Sequence, residues 1–137
     1  MLRPQDILIS CKLFVLGEAE WPMRKLAGSL SISTGEVHAA LERGKASGVL
    51  GTPRGKLNVG KKKFFELVSV AVPQVYYAVR GSVEMGVPTA MHAEPLKGVF
   101  SRDGRPIPLI WPSELGTVKG ESLFPLYSTV PRAIQHD

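Results

Sequence analysis

Apolar positions recur at helical spacing along the first half of the chain, and the spacing predicts four helices separated by short punctuated segments. The first runs from Pro4 to Leu16, with Pro in its first turn and Asp6 near the positive end of the helix dipole, and is closed by Gly17. It carries two apolar stripes: Ile7, Leu8, Cys11, Phe14 and Val15 on one side, and Ile9, Leu13 and Leu16 on the other. A helix apolar over that much of its circumference needs a second cover beyond its own small core. Ile9, Leu13 and Leu16 are therefore expected to meet a second copy of the chain.

A connector or short strand at Glu18 to Trp21 leads to a helix opened by Pro22. Met23, Leu26, Ala27 and Leu30 form its buried face, and Arg24 and Lys25 point outward. After a tight turn at Ser31-Ile32, Ser33 stands three residues before Glu36, the spacing of a capping box. The third helix that follows ends at Gly48, a residue suited to a left-handed cap. Val49-Leu50-Gly51 and Lys56-Leu57-Asn58-Val59 read as two short strands joined through Thr52-Pro53-Arg54-Gly55, and Asn58 or Gly60 caps a fourth helix through Phe64, Leu67, Val68 and Ala71. From Pro73 onward the texture changes, because 8 of the 11 prolines lie there. The expected organisation is a domain over residues 1–72 and a Pro-rich region of short extended segments over 73–137, used for dimerisation or partner binding; the fold class is α+β.

Helix, connector, helix, tight turn, capped helix and basic hairpin, in that order, is the arrangement of a winged helix-turn-helix. The segment from Met23 to Leu41, with Leu26, Ala27, Leu30, Ser33, Val37 and Leu41 at the pattern positions, resembles the helix-turn-helix of winged-helix bacterial regulators such as the MarR and IclR families. The resemblance covers roughly the first 65 residues and is shared by many DNA-binding families. It implies an N-terminal winged helix-turn-helix that binds double-stranded DNA, in a transcriptional regulator and not an enzyme, most simply a dimeric repressor.

Charge supports that expectation once it is divided along the chain. Residues 1–63 hold 11 Lys/Arg against 5 Asp/Glu, while the rest holds 6 against 7. A basic half joined to a nearly neutral half suits a polyanion on one side and a different partner on the other. In the third helix, Val37, Ala40, Leu41 and Gly44 are expected to face inward, leaving Thr34, Gly35, His38, Ala39 and Glu42 toward the major groove. Small residues let the backbone approach the bases, and His38 and Thr34 offer hydrogen bonds or a methyl group to base edges. Ser33 adds the helix N-terminus, Arg43 and Lys45 are expected to hold phosphates, and Arg54 and Lys56 at the hairpin tip to lie on the minor groove or backbone. Lys61-Lys62-Lys63 extends the footprint or is a solvated helix start.

Other chemistry is weakly represented. The single cysteine, Cys11, excludes an intramolecular disulfide and reads as a small core residue. His38, His92 and His136 have no metal-ligand spacing, so neither metal nor cofactor is expected. A catalytic cleft would have to be built from His92, Glu94 and Arg102. Leu8-Ile9-Ser10-Cys11 looks like a lipoprotein cleavage site, but the preceding apolar run is short and contains Asp6, and no stretch is long enough to span a membrane. A cytoplasmic protein is expected. The apolar residues of the second half, among them Trp111, Phe124 and Tyr127, also suit docking of a separate protein, which leaves a protein-binding adaptor or antitoxin-like partner on the same scaffold as the alternative.

Overall fold

In the computed structural model, which describes residues 1–100, 104 and 107–135, the chain forms two compact units, Met1–Tyr77 and Ala78–Gln135. Both helices and strands are present, so the α+β class holds. The boundary falls a few residues beyond the composition change at Pro73.

The first unit contains α1 (Pro4–Leu16), α2 (Met23–Leu30) and α3 (Thr34–Ala46), then β1 (Leu50–Gly51) and β2 (Asn58–Val59), then α4 (Lys61–Glu66), a π-helical turn (Leu67–Ala71) and α5 (Val72–Val75). Its core comes from Ile7, Ile9, Leu13, Leu26, Ala27, Leu30, Ile32, Val37, Ala40 and Leu41, closed by Val49, Leu50, Val59 and Phe64. Gly44 packs so closely that an added Cβ would lie 2.6 Å from Leu50 Cδ1, which is why α3 can sit directly on β1.

Local chemistry sets the helix ends as expected. Ser33 Oγ accepts from Glu36 N at 3.2 Å while Ser33 N donates to Glu36 Oε2 at 3.4 Å, closing the capping box of α3. Ile32 before the cap and Val37 one turn into the helix are both buried, the positions of a hydrophobic staple. Ser31 turns the chain between α2 and α3 at φ 53°, and Gly48 follows α3 at φ 73°. Gly60 caps α4.

Two expectations are corrected. Pro73 does not end the fourth helix. Proline lacks the N–H that would donate one turn back and crowds the carbonyl there, and the looser π-helical turn immediately before it absorbs the conflict, so helix resumes to Val75. In α1 the second stripe does not face outward, and both stripes contribute to the core, Ile7 from the first among them. Ile9 and Leu13 are spent inside the unit's own core, with Leu16 half-buried, whereas Phe14 and Val15 from the other stripe are exposed. Ile9 and Leu13 are therefore unavailable to a second copy.

The second unit is built on β3 (Arg80–Pro88), β4 (Leu109–Pro112) and β5 (Val118–Leu123), followed by α6 (Val130–Ile134). Strand β3 pairs antiparallel with both others, β4 pairs parallel with β5, and the three close into a small barrel. Ile110 of β4 is fully buried, and Leu109, Val130 and Ala133 are also buried. Closure at this radius demands glycine: a Cβ on Gly86 would strike the Trp111 carbonyl and Ile110, and one on Gly120 the Pro108 carbonyl. The short extended segments expected of this region are thus a closed sheet. Arg102 and His136 lie outside the described residues.

Candidate functional site

The candidate site lies in the first unit, on α3 and the hairpin that follows it. Burial of Val37, Ala40, Leu41 and Gly44 fixes the rotation of α3 about its axis. Thr34, Gly35, His38 and Glu42 are consequently exposed together and Ala39 is half-buried beside them, as the helical spacing required. Nothing lies within 4 Å of the position a Cβ would take on Gly35, so the N-terminal turn of α3 is open to approach. Ser33 is exposed at the head of that turn.

The charged residues behave differently from expectation. Arg43 is turned back into the fold: its Nε donates to Asp6 Oδ2 at 2.8 Å and its Nη2 to Asp6 Oδ1 at 2.7 Å, a two-pronged pair with a carboxylate whose side chain is 1% exposed. The same carboxylate accepts from Arg3 N at 2.8 Å and so also closes the start of α1. The hydrogen bonds it donates to Asp6 raise the Arg43 guanidinium above its already high range. Arg43 is therefore a tether between α1 and α3, not a free cation beside the exposed face.

Glu42, the one acid among the face residues, accepts from Lys45 Nζ at 2.8 Å, and this bond holds its carboxyl below the ordinary range. Both groups are in water, so the pair contributes little to stability. It does partly cancel each charge where the two meet. Lys45 is correspondingly a weaker candidate for holding an anion than an unengaged lysine.

The hairpin keeps its two bases exposed. Leu50 is opposite Val59 and Gly51 opposite Asn58, and between them a 3₁₀ turn, Pro53–Gly55, carries Arg54 and is followed by Lys56. Arg54 sits at φ 56° and ψ 30°, a left-handed conformation that costs a non-glycine residue about 1 kcal/mol or more. Gly55 beside it is also left-handed. An open groove of about 910 Å³ separates this tip from the connector after α1, with Glu18, Glu20 and Trp21 on one wall and Arg54, Lys56 and Leu57 on the other. Spacing alone did not show this groove, because its walls come from segments far apart in the chain. Arg24 and Lys25 on α2 and Lys61, Lys62 and Lys63 at the start of α4 are exposed as well.

Cys11 is half-buried on α1, and burial pushes its thiol up, away from the thiolate that nucleophilic or redox chemistry uses. In the second unit, His92 Nδ1 accepts from Leu109 N at 3.0 Å, which commits that nitrogen to holding a strand end. Among the described residues no group of three or more His, Cys, Asp or Glu side chains is placed to hold a metal ion, and no helix is long and apolar enough to cross a membrane. No family model, no curated protein and no solved structure matches the chain.

Proposed function

We propose that the first unit is a winged helix-turn-helix that binds double-stranded DNA, with α3 as the reading helix, the hairpin as the wing, and the whole chain acting as a sequence-specific transcriptional regulator, a homodimeric repressor by preference. The observation that carries this reading is the composition of the exposed face of α3. Its first turns present Thr34, Gly35 and His38 with no bulky side chain in the way, and its acid, Glu42, is engaged by Lys45. Such a face approaches base edges closely, and its hydrogen-bonding groups suit direct readout in the major groove.

Phosphate holding is assigned to exposed cations of the same unit: Arg24 and Lys25 on α2, and Arg54 and Lys56 on the wing. Arg43 leaves this set because Asp6 already satisfies it. Left-handed backbone at Arg54 supports a role at the wing tip, since strain at an exposed residue is retained where it places a side chain that function needs. In the second unit, exposed Val99, Leu115 and Phe124 favour docking of protein surfaces.

The test is a comparison of one selected operator with one scrambled duplex at two salt concentrations. His38→Ala and Thr34→Ala are expected to weaken the operator by about 1–3 kcal/mol while leaving scrambled DNA nearly unchanged. Four phosphate contacts from each of two copies imply a slope of log affinity against log salt of about −7. A slope shallower than about −2, or equal loss on both duplexes for both α3 variants, would overturn the reading.

A further inference from the structure

We infer that the groove between the wing and the connector after α1 binds a short extended peptide segment of a partner protein, one that carries both basic and acidic residues around an apolar one. The inference goes beyond DNA reading by α3 and is tested without DNA.

Backbone on both sides of this groove is unspent. Leu57 and Asn58 line it and neither residue of β1 does, so it opens along the outer edge of β2. Gly60 N donates to Val49 O at 2.9 Å, just beyond the facing pair Leu50 and Val59, and this bond fixes the alternation of the ladder. Gly51 and Asn58 are then the pair that bond each other, and the N–H and C=O of Leu57 turn away from β1 toward the outer edge. Across the groove, Glu18, Glu20 and Trp21 form neither helix nor strand. Among the described residues, the backbone groups of Leu57, Glu18, Glu20 and Trp21 make no hydrogen bond with the rest of the chain. An open strand edge of this kind is completed by a further strand, whose main chain supplies the missing donors and acceptors.

The space fits such a segment. One residue of a strand in a packed sheet takes up roughly 160 Å³, from its rise, the strand spacing and the distance between layers. At about 910 Å³ the groove therefore holds a segment of about six residues.

Charge selects the kind of segment. Glu18 and Glu20 on one wall and Arg54 and Lys56 on the other are all exposed, and among the described residues none of these four side chains is in an ion pair or hydrogen bond. A nucleic-acid strand lying in the groove would set its phosphates against two carboxylates. A wholly acidic or wholly basic peptide would likewise meet one wall of its own sign. A segment of mixed charge satisfies both walls, with Lys or Arg beside the glutamates and Asp or Glu beside Arg54 and Lys56 as cross-strand pairs. Trp21 and Leu57, each half-buried, leave apolar surface between the charges for an apolar side chain to cover.

Selection of phage-displayed heptapeptides on the immobilised full chain is expected to enrich sequences that combine Lys or Arg, Asp or Glu, and an apolar residue. One enriched heptapeptide with blocked ends is then titrated against the Trp111→Phe chain, in which Trp21 is the remaining tryptophan and its fluorescence reports occupancy. Arg54→Glu/Lys56→Glu is expected to weaken binding at least about tenfold, and changing the peptide's acidic residues to Lys should restore it. N-methylation of the peptide at one or the other of two adjacent central residues removes a backbone N–H and is expected to weaken binding by a similar factor. Should the wing variant fail to fold, Glu18→Lys/Glu20→Lys with the peptide's basic residues changed to Glu repeats the test from the opposite wall. No enrichment over an unrelated immobilised protein overturns the inference. So does an enriched peptide that binds both charge-reversed chains undiminished, or one that tolerates N-methylation at both positions.

Discussion

Replacing Arg43 by alanine is expected to unfold the first unit more readily than it disturbs DNA binding. Asp6 is almost wholly buried and accepts three hydrogen bonds, two from Arg43 and one from Arg3 N. Without Arg43 the carboxylate keeps one donor in a site that water barely reaches, and an uncompensated buried charge costs about 3–5 kcal/mol. Asp6→Ala is milder. The Arg43 side chain, 22% exposed, can swing into water, leaving a lost α1 cap and lost charged hydrogen bonds worth about 2–3 kcal/mol together. The double variant is expected to be little worse than Asp6→Ala alone, giving a coupling energy of about 2 kcal/mol or more. Trp21 is in the first unit and Trp111 in the second, so urea unfolding followed by fluorescence in a Trp111→Phe background reports the first unit alone. Because Asp6 already neutralises Arg43, the salt slope of DNA binding should not change for any variant that remains folded. If Arg43→Ala costs less than about 1 kcal/mol and lowers the salt slope by about one unit, Arg43 is a phosphate contact and the tether argument is wrong.

Four further outcomes follow from other parts of the molecule. Ser33→Ala removes the hydroxyl that accepts from Glu36 N and should destabilise the first unit by about 1 kcal/mol in the same unfolding assay. At Arg54, glycine should be more stable than alanine by about 1 kcal/mol because it relieves the left-handed backbone, yet both variants should lose about one unit of salt slope; unequal slopes would contradict a side-chain role in phosphate holding. Glu42, held below the ordinary carboxyl range by Lys45, is ionised to lower pH in the folded state, so its small contribution is present above its unfolded pKa and fades as pH falls through the folded one. Carbon-detected NMR should show Glu42 titrating higher in Lys45→Ala. Gly86→Ala should disrupt the barrel by several kcal/mol, read through Trp111 in a Trp21→Phe background, because the new methyl group meets backbone that cannot retreat.

Local chemistry was legible in the sequence and long-range choices were not. The capping box at Ser33 and Glu36, the left-handed turn at Gly48, and the inward set Val37, Ala40, Leu41 and Gly44 each depend on residues within a turn or two of one another, so spacing alone predicts them. The same spacing is sufficient to put Thr34, Gly35, His38 and Glu42 together on an open face. In contrast, α1 has apolar residues on both sides, and no local rule says which side meets the core. The choice is made where Asp6 meets Arg43, a contact spanning 37 residues, which pins α1 against α3 with Ile9 and Leu13 inward and Phe14 outward. That contact also withdrew Arg43 from the candidate site. Pro73 read as a helix end because the compensating π-helical turn carries no residue signature of its own. In the second unit the closing partners, Leu109 with Glu121 and Gly86 with both Pro112 and Val118, are brought together from separate segments, and register between distant strands is decided by their mutual packing. Periodicity within one strand cannot carry that information, because a strand's alternation specifies which face is buried but not which strand will bury it.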